Sequence, residues 1–261
     1  MTGAQGLHLT VRPDGVALLR IDRPEVLNAL DQATMTAIVG AVEQIESDPA
    51  VRAVVLTGTG TRAFCAGRDL KERAAVDRVG ERAGHPMRGL HRNPFEALWE
   101  CRKPTVAAVN GDAVGAGFEL ALACDLRVAA AHARFALPEA KRGMGAVFGS
   151  TILARSVPSA VYYEWLYLGE LMPAADVARW GVLNRVVDAD PLAAGLALAR
   201  EVAGRAPVSL QRFKATLISG REMPVAAALR TDFHPDPYSS EDRIEGVAAF
   251  VEKREPIWRG R

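Results

Sequence analysis

The chain has 261 residues, long for one domain but within the span of α/β and spiral folds that form a single unit. Apolar residues make up 49 % and charged residues 24 %, and 32 Lys and Arg balance 31 Asp and Glu to a net charge of +1. That composition supplies a core without disulfides or a structural metal, and it excludes a global field for nucleic acid or an anionic membrane. The cysteines, Cys65, Cys101 and Cys124, are odd in number and widely spaced, with no C-x-x-C pair. This argues against a zinc or dithiol site, and it predicts reduced thiols in a cytoplasmic compartment. Met1 to Thr10 lacks a basic region followed by an apolar run, so no signal peptide is expected. The longest apolar candidate for a membrane span, Thr105 to Ala131, is broken by Asn110, Asp112, Glu119 and Asp125.

Leu7 to Arg12 and Val16 to Asp22 read as two strands joined by a Pro13-Asp14-Gly15 turn. Asp31 caps a predicted helix from Gln32 to Ser47, with Ala33, Ala37, Ile38, Ala41, Val42 and Ile45 at helical spacing. Arg52 to Thr57 is a Val-rich run, predicted as a buried strand. Asp69 to Arg82 reads as a polar helix, and the Arg-rich stretch Lys71 to Arg92, which also holds Glu72, Asp77 and Glu81, reads as a solvated face. A helix at Pro94 to Cys101 precedes a strand at Thr105 to Val109, a Gly-rich turn at Asn110 to Gly117, and a buried helix at Phe118 to Ala123. Asp125 to Ala130 and Ala133 to Ala136 are short strand candidates. Beyond Ser150 helical patterns dominate (Ser159–Leu168, Pro173–Arg179, Pro191–Ala203, Val208–Ile218, Asp242–Glu252), with one short strand at Leu183 to Val187. His234-Pro235-Asp236-Pro237 is expected as a mobile loop. The alternation predicts an α/β fold, with a core over residues 1–195 and a helical region over 196–261. No clean sequence repeat is present.

No G-x-x-x-x-G-K-[ST] phosphate loop occurs, Gly111, Gly115 and Gly117 do not match G-x-G-x-x-G, and neither G-x-S-x-G nor a clustered His/Asp/Cys set is present. The histidines (His8, His85, His91, His132, His234) are scattered and read as surface residues. Two strand-turn-helix segments carry chemistry instead. In Arg62 to Lys71, Ala66 and Gly67 let a ligand approach the backbone, and free N–H groups at a helix start suit an anionic oxygen. In Lys103 to Leu120, Gly115, Ala116 and Gly117 leave room beside the chain, and Glu119 sits in the first turn of an apolar helix. A buried carboxylate there is costly unless hydrogen-bonded or functional; the helix dipole favours its anion while burial raises its pKa. Pro138 extends Leu137, so Glu139 starts a new segment and can project into a cavity.

Together and in order, these pieces resemble the crotonase (enoyl-CoA hydratase/isomerase) superfamily. Ala63 to Glu72 is similar to its A-F-x-A-G-x-D-[IL]-K-E loop, and Lys103 to Asp125 to its K-P-x-x-A-A-V-x-G-x-x-x-G-x-G-x-E-L-x-x-x-C-D signature. Phe135 to Glu139 fits F-x-x-P-E, Arg23 to Leu30 fits R-P-x-x-x-N-A-L, and Glu245 to Pro256 resembles the C-terminal helix. The resemblance implies a crotonase-like spiral of β-β-α turns with a C-terminal helical region, assembled as a homotrimer or homohexamer. It implies an acyl-CoA substrate, no metal, no cofactor beyond the coenzyme A of the substrate, and no nucleic acid or membrane partner. It makes Glu119 and Glu139 the acid–base pair of a hydratase. The same resemblance implies that the backbone N–H groups of Arg68 and Ala116 form the oxyanion hole, that Val26, Ala66, Asp69 and Leu70 line the CoA channel, and that Lys253 reaches a CoA phosphate or stays solvated.

One segment departs from the family's Gly-Ile-x-Pro-Gly-x-Gly-Gly turn. Here it reads Gly143-Met144-Gly145-Ala146-Val147-Phe148-Gly149-Ser150, with the proline gone and Val147 in place of a glycine. An altered acyl specificity is expected, with Met144, Phe148 and Trp165 as candidates to shape the acyl pocket or simply to pack the core. An enoyl-CoA isomerase, a lyase on an unusual acyl-CoA, and a non-catalytic acyl-CoA-binding subunit are the alternatives to a hydratase.

Overall fold

The computed structural model describes residues 2–4, 6–78, 80, 87 and 92–261, with 2–4 as backbone alone. His85, His91 and the end of the helix expected to reach Arg82 lie outside the described residues.

Strands β1 (Thr2–Ala4), β2 (Leu7–Val11) and β3 (Val16–Ile21) form an antiparallel edge. Helix α1 (Gln32–Ser47) follows. The Asp31 carboxylate accepts from the Thr34 N–H at 2.7 Å and caps it. Met35, Ile38, Ala41, Val42 and Ile45 recur at helical spacing, and all are buried in the main core. Truncating Ile38, which is fully buried, is worth about 2–5 kcal/mol.

The next elements come in repeating pairs. Strand β4 (Ala53–Gly58) is followed by β5 (Ala63–Cys65), and β6 (Thr105–Val109) by β7 (Asp112–Val114). Helices α2 (Leu70–Arg78) and α3 (Pro94–Glu100) lie between the two pairs, and α4 (Ala116–Ala123) follows the second. Then come β8 (Leu126–Ala130) and β9 (Arg134–Ala136). The first strand of each pair adds in parallel to a seven-stranded sheet, and the second to a four-stranded sheet. This is a spiral of β-β-α turns. Every residue of β4 and β6 is buried, which is why both read as continuous apolar runs.

A 3-10 helix at Pro138–Arg142 leads to α5 (Val147–Leu153) and α6 (Ser159–Leu168). Strand β10 (Met172–Pro173) closes the small sheet, α7 (Ala174–Arg179) follows, and β11 (Arg185–Val187) closes the large one. Helices α8 (Pro191–Ala203), α9 (Pro207–Gly220), α10 (Val225–Ala228) and α11 (Glu241–Glu252) end the chain. The boundary expected between 195 and 196 falls within α8. Leu196, Leu198 and Ala199 of that helix pack on Val55, Val106, Ala108 and Val128, forming a second core on the outer face of the large sheet. The contact is close: a Cβ on Gly195 would stand 2.9 Å from the Ala108 Cβ. The loop expected at His234–Pro237 runs into a 3-10 helix, Pro237–Ser239, whose cap Asp236 accepts from the Tyr238 N–H. Among the described residues no helix is long and apolar enough to cross a membrane.

Candidate active site

Successive turns of the spiral bring the two glycine-bearing segments together. Gly67 lies between β5 and α2 at φ +97°, and an added Cβ would meet the Val114 carbonyl oxygen at 2.8 Å and the Ala116 nitrogen at 3.6 Å. The next residue, Arg68, bridges in parallel to Leu30: the Leu30 N–H donates to the Gly67 carbonyl and the Asp69 N–H to the Leu30 carbonyl. That pattern turns the Arg68 N–H away from the ladder. Ala116 opens α4, where the first N–H groups of a helix have no partner of their own. Among the described residues neither the Arg68 nor the Ala116 N–H donates to another group. Both residues line a cleft of about 1340 Å³ with Ala66, Leu70, Glu119 and Glu139.

Two buried asparagines hold the segment that leads into this site. Asn28 donates to the carbonyls of Thr59 (3.0 Å) and Ala63 (2.8 Å), and accepts from the Arg23 N–H. Asn110 donates to Gly60 (2.6 Å) and accepts from the Gly58 N–H (3.0 Å). Removing either leaves buried or part-buried main-chain groups without that partner, at about 1–3 kcal/mol for each one left unpaired. Sequence reasoning gave neither a role, although both stand inside the matched motifs.

All eight residues of α4 are buried, Glu119 among them. Its Oε1 accepts from the Gly149 N–H at 2.7 Å at the start of α5. Burial pushes its pKa up to about 7, and the neighbouring Glu139 charge pushes the same way, against the pull of the Gly149 hydrogen bond. Glu139 sits on the 3-10 helix after β9. Burial raises its pKa too, and its Oε2 is buried with no hydrogen-bond partner among the described residues. Gly115, at φ +57°, leaves space for the other oxygen: a Cβ there would stand 2.8 Å from the Glu139 Oε1. Two carboxylates whose charged forms are disfavoured therefore face one cleft with two free main-chain donors.

The remaining expected binding residues lie differently. Ala66 and Leu70 line the cleft, whereas Val26, Asp69 and Lys253 do not. Asp69 accepts from the N–H groups of Lys71 and Glu72 at the start of α2, and pairs with Arg23 at 3.3 Å. Val26 ends a 3-10 helix, Pro24–Val26, and Lys253 is the exposed C-cap of α11. Of the residues expected to shape an acyl pocket, Met144 lines the cleft. Phe148 is buried and stacks on Phe95, with centroids 5.7 Å apart, and Trp165 is buried in the main core. Among the described residues no group of three or more His, Cys, Asp or Glu side chains could hold a metal ion.

Residues 12–261 match the family model for enoyl-CoA hydratase/isomerase. The chain is 38 % identical over 266 residues to the carnitinyl-CoA dehydratase of Salmonella typhimurium, covering 99 % of this chain and 100 % of that protein. The carnitinyl-CoA dehydratase of Proteus mirabilis is 36 % identical over the same span. Among solved structures, enoyl-CoA hydratase EchA1 from Mycobacterium marinum superposes with a TM-score of 0.86 at 32 % identity, covering 98 % of this chain and 99 % of that one. An enoyl-CoA hydratase from Polaromonas sp. JS666 gives 0.87 at 33 % identity, covering 97 % and 99 %. The whole-length match and the spiral around the paired carboxylates agree: the chain belongs to the enoyl-CoA hydratase/isomerase, or crotonase, family.

Proposed function

We propose that the protein is a hydro-lyase that adds water across the 2,3 double bond of a trans-2-enoyl-CoA, or removes it in the reverse direction. One observation carries this: Glu119 and Glu139 line the same cleft as Arg68 and Ala116, whose N–H groups have no partner among the described residues. The thioester carbonyl accepts from both N–H groups. One carboxylate takes a proton from water as its oxygen bonds to C3, and electrons move through the conjugated system onto the thioester oxygen. The other carboxylic acid gives a proton to C2, and the oxyanion collapses to the saturated 3-hydroxyacyl thioester. The pair carries one proton at the start and one at the end, so it is treated as a single titrating unit. A raised pKa near 7 keeps that proton available at neutral pH. Each main-chain donor is worth about 2.7–4 kcal/mol at the transition state. The reading therefore calls for no cofactor beyond the substrate's own CoA. A double-bond isomerase needs one carboxylate to carry a proton from one carbon to another, and here two are provided.

Ala66 and Leu70 are the CoA-contacting residues this reading keeps in the cleft of the chain itself. Lys253 serves CoA only where assembly brings it to another subunit. Exposed Phe213, Leu217, Leu229, Phe250 and Val251 on the C-terminal helices and their connections support self-association, read as a trimer or hexamer. Three buried free thiols support a reducing, cytoplasmic setting.

The test is the loss of conjugated enoyl-thioester absorbance with crotonyl-CoA and 2-hexenoyl-CoA, with oxygen-18 water to count water uptake. Glu119→Gln and Glu139→Gln should each lower the rate about 10²–10⁴-fold. Turnover of a 3-enoyl-CoA without label uptake, and none of the 2-enoyl substrates, would replace this reading with isomerisation.

A further inference from the structure

Arg68 supplies a main-chain donor to the proposed oxyanion hole, but its side chain is a separate matter. It is half-buried, lines the cleft, and points its Nη1 at the Met35 thioether of α1. A thioether is a weak acceptor for one of the five N–H donors of a guanidinium. The nearby carboxylates are all committed elsewhere. Glu72 accepts from the Gln32 N–H with both oxygens, at 3.1 Å each. Asp31 caps α1 and pairs with Arg23 at 3.0 Å, and Asp69 caps α2 and pairs with the same arginine. The other two cleft arginines near α1 differ: Arg73 pairs with Asp77 at 2.7 Å and Arg92 with Glu100 at 2.8 Å. Among the described residues no carboxylate forms an ion pair with Arg68. Its charge is partly desolvated, and Glu72, Asp31 and Asp69 favour it only through space, without a direct ion pair, beside the point where a thioester carbonyl would dock.

We propose that the Arg68 guanidinium binds a carboxylate carried by the acyl group, so that the preferred substrates are 2-enoyl thioesters of dicarboxylic acids. This rests on the acyl-CoA reading of the cleft and names its substrate class. The anion comes from the acyl end and not from CoA. A side chain rooted at the oxyanion hole reaches acyl carbons near the thioester, whereas the pantetheine arm holds the phosphates far from it. Met35 and Phe95 line the cleft beside Arg68; an acyl chain laid along them would bring a terminal carboxylate to the planar fork of the guanidinium, which suits two parallel hydrogen bonds. The same charge opposes a cationic acyl group such as the trimethylammonium of a carnitinyl thioester, so this chain differs in acyl preference from relatives of that name.

Two readouts test this independently of the reaction. Calorimetric titration of the full chain with the saturated thioesters adipyl-CoA and hexanoyl-CoA, and with free CoA, reads binding alone. Competition between 2-hexenedioyl-CoA and 2-hexenoyl-CoA reads kcat/KM. Adipyl-CoA should bind about 10–100-fold more tightly than hexanoyl-CoA, the value of a charge-assisted pair. Arg68→Met should bring that ratio to about one, and Arg68→Lys, which keeps the charge without the fork, should fall between. Equal binding of the two thioesters to the wild type overturns the inference while leaving hydration intact. So does a variant that weakens free CoA as much as adipyl-CoA, because the anion is then a phosphate. An Arg68-dependent binding preference with no turnover of either enoyl thioester upholds the inference and refutes hydration.

Discussion

Glu119 and Glu139 face one cleft from unlike seats. Glu119 stands on a helix with no exposed residue, and a main-chain N–H at 2.7 Å fixes its carboxylate. Glu139 stands on a 3-10 helix with no fully buried residue, one oxygen unpartnered among the described residues and the other beside a glycine that leaves it just enough room. One carboxylate is held by what it bonds to, the other by what has been kept out of its way. A site that transfers two protons in sequence can use both kinds of seat: a fixed group to set geometry, and one free to follow the reacting oxygen.

The comparison is tested most severely by Glu119→Gln, which should lose activity by about 10²–10⁴-fold and gain stability at alkaline pH. In the fold Glu119 holds its proton up to about pH 7, whereas an unfolded glutamic acid releases it near 4.5. The folded state therefore binds more protons between these values. The stabilising contribution of this group is complete below pH 4.5 and declines as pH rises through 7. The decline is on the order of 3 kcal/mol, at about 1.4 kcal/mol per pKa unit. Glutamine does not ionise and can still accept from Gly149, so urea unfolding at pH 8 should show the variant more stable than the wild type. An unchanged midpoint would mean that Glu119 is better solvated than its 6 % exposure indicates.

Gly115→Ala attacks the other seat. The new methyl would press on the Glu139 carboxylate at 2.8 Å, and a residue at φ +57°, ψ −125° carries about 1–3 kcal/mol of strain. We expect kcat to fall about tenfold or more, as misplacement by an ångström commonly costs. A fall in thermal stability with kcat intact would show that Glu139 adjusts freely. Gly149→Ala should be the mildest. Its Cβ would meet the Leu137 Cδ1 at 3.2 Å and the Glu119 Cγ at 3.3 Å, contacts that give by a few tenths of an ångström while the N–H donor survives. A loss of a few-fold in kcat is expected, within the cost of modest overpacking, with an acid limb of the pH–rate profile that shifts if the 2.7 Å hydrogen bond lengthens.

The parts legible in the sequence are those that local chemistry decides. The Asp31 cap, the Ile38–Ile45 stripe and the apolar runs of β4 and β6 announce themselves by residue type and period. The second sheet does not. Strands β5 and β7 have three residues each, and Asp112–Val114 reads as part of a glycine turn, because only pairing with a distant segment makes it a strand. The spiral leaves no sequence repeat for the same reason: each turn is set by sheet register and burial, which many residue sets satisfy. Helix α5 begins at Val147 with no side-chain cap, so nothing local marked its start, although its third residue holds Glu119. The family loops located the carboxylates and the N–H donors by resemblance. They could not show that Asp69 spends its carboxylate on capping α2 and on Arg23.

The donors at Arg68 and Ala116 belong to peptide units and not to side chains. A peptide N–H survives every substitution but proline, so the electrostatic part of the proposed chemistry is insulated from mutation at its own positions. Position 68 can then change in charge, size and shape while the N–H proposed to polarise the substrate stays in place. Substrate range and reactivity, usually entangled in one residue, can drift apart here: a lineage can explore new acyl groups at this site without first surrendering the reaction.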